Sequence, residues 1–185
     1  MLKGFKTKEL IFLTLMGVLM FLIDFSISSG IDAASGISGI GYIVSGFIFV
    51  GLGVFAALVV RRFFSITILG LIYGVLAIPT PIFGPPGFYK IIIGLSVGII
   101  ADLIVFLFRY KKLGYYLSFT IGNLLTLPIW IFVLISFGLP GVDAVIKIIW
   151  LVIGVYFIQG LFGAWIGFKL YNKIKNKKII KQISG

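Results

Sequence analysis

The side chains that can do chemistry in this 185-residue chain are few, and most stand in the second half. Lys90 follows the segment Ile78-Pro79-Thr80-Pro81-Ile82-Phe83-Gly84-Pro85-Pro86-Gly87-Phe88-Tyr89, and Lys147 follows Gly138-Leu139-Pro140-Gly141. Each opens an apolar run beside aromatic residues, Phe88 and Tyr89 in one case and Trp150 in the other. Helix N-termini carry partial positive charge, so a lysine there makes an anion-attracting mouth. Asn123, Thr126 and Trp130 recur at helical spacing, with Thr120 one turn earlier, and Tyr156 and Gln159 share a face further on. Aromatic neighbours can hold a flat ring while Asn123, Thr126 and Gln159 read its polar edge. The expectation is a planar or heterocyclic, neutral-to-anionic small molecule bound by Tyr89, Lys90, Asn123, Thr126, Trp130, Lys147, Trp150 and Gln159. Each residue also has a plainer use. The lysines can snorkel to headgroups or pair with Asp32 or Asp143, the tryptophans can anchor at an interface, and the amides can bond helix to helix.

Catalysis finds no constellation here. There is no Cys and no His, which removes thiol chemistry, disulfides and the best transition-metal ligands. No HExxH or GxxxxGK[ST] pattern occurs, and Asp24 and Asp102 fall in different runs at different depths. The chain reads as neither an enzyme nor a self-powered ATPase, with no metal and no cofactor expected. A proton- or sodium-coupled carrier stays open only through those two aspartates.

The elements that must position these residues are membrane spans. With 61% hydrophobic and 11% charged residues, a chain this size cannot hide its apolar surface from water, so lipid is its solvent. A span needs about 20 apolar residues. Six runs qualify, at 10–26, 37–60, 63–78, 88–108, 113–137 and 144–170. The expected fold is therefore all-α, a compact six-helix polytopic bundle over residues 1–172 with a basic tail at 173–185.

Fourteen of the sixteen Lys and Arg fall before run one, between runs two and three, between four and five, or at the close of run six and in the tail after it. The positive-inside rule then puts both termini in the cytoplasm and the proline segment outside, in a multi-pass prokaryotic cell-membrane protein. The net charge of +11 points to anionic headgroups rather than nucleic acid, because no aromatic-interleaved basic patch accompanies it.

Residues 28–36, small and polar, read as an outer loop able to fold over as a lid. Pro128 predicts a kink in the fifth run. Glycines four apart, Gly70/Gly74, Gly94/Gly98 and Gly163/Gly167, together with Gly160/Ala164, predict close helix approach, either within the bundle or toward a partner. Asp102 shares the Gly94/Gly98 face and is expected to tie helix ends to a basic loop.

With these residues in view, the chain resembles the substrate-binding S components of energy-coupling factor (ECF) transporters. The resemblance covers nearly the whole length: six spans, Lys8-Glu9-Leu10-Ile11 opening the first, and Gly70-Leu71-Ile72-Tyr73-Gly74 in the third. Phe83-Gly84-Pro85-Pro86-Gly87-Phe88 and Gly94-Leu95-Ser96-Val97-Gly98-Ile99-Ile100-Ala101-Asp102 continue it. It implies a non-enzymatic subunit that captures a vitamin or related micronutrient and docks on a transmembrane T component with two ABC-type ATPases. Family ligand sites lie at the outer ends of the later helices. Where members carry alanines four apart on the first helix to meet the T component, this chain has Thr14 and Val18, with Gly17 adjacent. The alternatives are a stand-alone small-solute carrier or channel, and a membrane scaffold without a ligand.

Overall fold

The computed structural model describes residues 4–35, 40–82, 85–138 and 146–184. They form seven helices: α1 (Thr7–Ser35), α2 (Ile40–Val60), α3 (Ser65–Ala77), α4 (Tyr89–Leu107), α5 (Lys112–Ser136), α6 (Ile149–Ile174) and α7 (Lys178–Ser184). No strand occurs among the described residues, and five helices, α1, α2, α4, α5 and α6, are long and apolar enough to cross a bilayer.

The six long elements close a ring in the order α1, α2, α6, α5, α4, α3 and back to α1. Neighbours in sequence run antiparallel, as the pairs Gly70–Gly94 and Gly98–Thr67 show for α3 and α4. Helices α2 and α6 run parallel, with Gly163 against Val50 and Gly167 against Val54. The glycine stripes make this ring tight. A Cβ on Gly70 would lie 2.2 Å from the Gly94 carbonyl oxygen, and one on Gly98 would lie 2.5 Å from the Thr67 Cα. Lipid offers helices no hydrophobic drive to associate, so backbone approach of this kind supplies the packing contact. All these stripes face inward, as the internal-packing reading expects.

Direction alternates along the chain, so the basic segments collect at one end of the bundle. Arg61 Nη2 donates to the Tyr110 carbonyl across 3.5 Å, joining the α2–α3 turn to the α4–α5 turn. Both turns are tight and use left-handed residues, Arg61 and Phe64 in one, Arg109 and Tyr110 in the other. At the same end Arg62 Nε pairs with Glu9 at 2.7 Å, and the Lys6 amide also donates to Glu9, fastening the start of α1. The basic tail does not trail free. Ile180 of α7 is buried in the same apolar cluster as Leu13, Val59 and Val60, while Lys177, Lys178 and Lys181 remain exposed.

One expectation changes. Residues 28–35 are the last two turns of α1 rather than a lid, with Ser28 buried and its backbone pressed against Gly41. Ser28, Ala33, Ala34 and Ser35 are small but not helix-breaking, and no proline intervenes; residue 36 lies outside the described residues. Pro128 lies inside α5, whose helical backbone continues on both sides of it. The third apolar run yields a helix of only 13 residues, about 20 Å long, which stops short of a bilayer's far side.

Candidate functional site

Helix α3 is short because the prolines after Ala77 remove the donors a helix would need. Its ends are then met by α4. At the start, no side chain of the α3 N-cap residue Phe64 caps the helix. Asp102 does so from across the interface. Its carboxylate accepts from the Ile66 amide at 3.3 Å and from the Thr67 amide and hydroxyl, both at 2.8 Å. At the finish, Lys90 Nζ donates to the Ala77 carbonyl at 3.1 Å and to the Thr80 carbonyl. A negative group thus sits on the positive end of the α3 dipole and a positive group on its negative end.

The segment beyond α3 is fastened by bonds to several of its backbone groups. The Thr80 hydroxyl donates to the Ala77 carbonyl at 2.9 Å, the Gly87 amide to the Ile78 carbonyl at 3.0 Å, and the Tyr89 hydroxyl to the Pro85 carbonyl at 2.5 Å. Ile82 is buried in the main apolar cluster. Pro79, Pro81, Pro85, Pro86 and Phe88 are exposed, so the segment is anchored at Ile82 and by these bonds rather than enclosed. Residues 83 and 84 lie outside the described residues.

The expected binding residues separate into three groups. Tyr89, Lys90 and Trp130 come together at the α4–α5 contact. Trp130 packs against Tyr89, Ile93 and Val133, and Lys90 Nζ lies 5.9 Å from the Tyr89 ring centroid. Lys90 is 0% exposed, so its charge is spent on the α3 carbonyls rather than displayed at an open mouth. The Trp130 indole N–H is buried and has no acceptor among the described residues. Thr126 is buried one turn from Trp130 on α5 and donates to the Gly122 carbonyl, while Asn123 is half-buried.

The second group is Gln159, which lies apart from Trp130 on the α2 side of α6. Its side-chain amide donates to the Ile43 carbonyl at 3.1 Å, in a notch that only a glycine at 46 leaves open. The third group is Lys147 and Trp150, both exposed around the start of α6, Trp150 to 81%. Asp32, offered as a lysine's partner, accepts from the Gly41 amide at 2.7 Å, and Asp143 lies outside the described residues.

Sequence reasoning missed the role of Lys90 at the α3 terminus. The signal was present: Lys90 and Asp102 are twelve residues apart, which matches the length of the run between Ser65 and Ala77. Asp24, the other aspartate in the spans, is also buried and accepts from the Tyr73 hydroxyl of α3. Outside the spans, burial and the nearby Asp102 carboxylate push the Tyr110 phenol upward.

Two surface grooves lie between α5 and α6. The larger, about 550 Å³, is lined by apolar residues including Leu127, Pro128, Ile131, Ile135, Ile149 and Ile153, near the end away from the basic segments. The smaller, about 280 Å³, is lined by Tyr116, Leu161, Phe162 and Trp165, near the basic end. No group of acidic, His or Cys side chains able to hold a metal occurs among the described residues.

On the first helix, Thr14 is exposed and Val18 half-buried, but Gly17 faces inward. A Cβ on Gly17 would meet the Ile72 side chain of α3 at 2.9 Å. Comparison with protein-family models, curated proteins and solved structures returns no match for this chain.

Proposed function

We propose that this chain is the substrate-binding S component of an ECF-type importer, capturing a vitamin or related micronutrient at the outer face of a prokaryotic cell membrane. In this reading α3 with its proline segment completes a sixth crossing, and both termini are cytoplasmic. The T component and its two ATPases meet α1 along Thr14 and Val18, whereas Gly17 belongs to the α1–α3 contact. The support is the sequence resemblance together with a bundle whose basic turns gather at one end and whose aromatic cluster lies toward the other.

The observation that carries the ligand site is the buried Trp130 indole N–H, which has no acceptor among the described residues. A buried donor left unpaired costs about 1–3 kcal/mol, and a ligand oxygen or ring nitrogen offsets that cost. Tyr89 supplies a ring beside it, and Asn123 and Thr126 stand deeper on the same helix. Mass spectrometry of what leaves the detergent-solubilised protein on denaturation identifies the ligand. Trp130→Phe, which keeps an aromatic surface and removes the donor, is expected to bind that ligand about two- to tenfold more weakly. Uptake in cells is expected to require the partner ATPases. An empty purified protein, or uptake that persists without the ATPases, overturns the assignment.

A further inference from the structure

The basic end of the bundle has far more cations than anions. Of the five acids, Glu9 is taken by Arg62 and the Lys6 amide, Asp24 by Tyr73, Asp102 by α3 and Asp32 by the Gly41 amide. Asp143 precedes α6, at its start rather than at its basic finish. Two lysines at the basic end are therefore held by aromatic rings instead of carboxylates. Lys112 Nζ lies 5.7 Å from the Tyr116 ring centroid and 5.5 Å from that of Phe168, which stacks on Tyr116. Lys169 Nζ lies 4.8 Å over the Trp165 ring. Both lysines are exposed, and neither has an acidic partner among the described residues.

Tyr116 and Trp165, the shelves under these two ammonium groups, are also walls of the smaller groove, which Leu161 and Phe162 complete. The groove runs along the outside of the α5–α6 contact, with Phe162 57% and Trp165 51% exposed toward the membrane. An apolar channel for a chain, two cations at its basic end, and aromatic side chains at headgroup level match one molecule of a bilayer.

We infer that Lys112 and Lys169, with the groove lined by Tyr116, Leu161, Phe162 and Trp165, form a specific site for one anionic phospholipid of the leaflet that meets the basic end. The acyl chain lies in the groove, and the phosphate sits between the two ammonium groups, whose place on the rings keeps them from spreading into solvent. The lipid then bridges the start of α5 and the finish of α6, the helix pair that carries the larger groove at its other end.

Thermal unfolding of the full chain in detergent, titrated with phosphatidylglycerol or with phosphatidylcholine of the same acyl chains, tests the site. Phosphatidylglycerol is expected to raise the unfolding temperature saturably, and phosphatidylcholine is not. A lysine near the surface contributes about fivefold in binding, so the double variant K112Q/K169Q is expected to weaken the phosphatidylglycerol response about thirtyfold. K177Q/K178Q removes the same charge from the same end and is expected to leave the response unchanged. Glycerol phosphate without acyl chains is expected not to compete. Equal responses to the two lipids, equal losses in the two double variants, or competition by the free headgroup would each overturn the site.

Discussion

Lys90 and Asp102 bracket α3 from a neighbouring helix, and the pair satisfies both ends of a helix of only 13 residues. Helix α4 rises about 18 Å between them and α3 measures about 20 Å, so one charge reaches each end. Removing either partner leaves backbone groups buried without water. Asp102→Ala frees two amides and a hydroxyl and is expected to destabilise the protein by about 3 kcal/mol. Lys90→Met keeps the bulk of the side chain but not its bonds to Ala77 and Thr80, and is expected to cost about 1.5–3 kcal/mol. Thermal unfolding in detergent checks both. A Lys90→Met protein as stable as wild type would mean that the α3 carbonyls find other partners. A weakened ligand affinity in this variant has to be read beside its stability, because the lysine is fully enclosed.

At the scale of the element, glycine decides how near two helices come. Gly70 and Gly94 touch backbone to backbone, whereas a Cβ on Gly154 in α6 would meet nothing within 4 Å. The same substitution at the two places should therefore have opposite signs. Gly70→Ala forces α3 from α4 and is expected to lower stability by about 1–3 kcal/mol. Gly154→Ala gains helix propensity and is expected to raise it by up to about 1 kcal/mol. Paired unfolding curves test the contrast, and a neutral Gly70→Ala would show that the α3–α4 contact can relax.

For the whole molecule, the alternation of direction along the chain puts the end of α1 and the finish of α6 at opposite ends of the bundle. Helix α1, at 29 residues, is about 43 Å long and exceeds a 30 Å hydrocarbon core, and its last turns lie at the end opposite the basic segments. The chain has no native cysteine, so single-cysteine variants report cleanly. Ser29→Cys is expected to react with an impermeant reagent added outside intact cells, and Lys175→Cys only after the membrane is opened. The reverse pattern would invert the orientation proposed above.

What the sequence determined by itself is whatever depends on solvent and period. Apolar length marks the crossing helices, glycine spacing marks which faces approach, and the confinement of Lys and Arg to alternate connections gathers them at one end. Pairings between residues far apart in the chain were not legible in that way. Lys90 sits beside aromatic residues in sequence, which suits a ligand mouth, yet the ring order lays α4 along α3 and turns its ammonium onto Ala77 and Thr80. Gly17 belongs to a plausible outer stripe until Ile72 is packed against it. The small residues of 28–35 suit a loop until the helix continues through them and the Ser28 backbone meets Gly41. Local composition reports how costly a residue is to bury. Only the tertiary structure decides which distant carbonyl, carboxylate or side chain meets that cost.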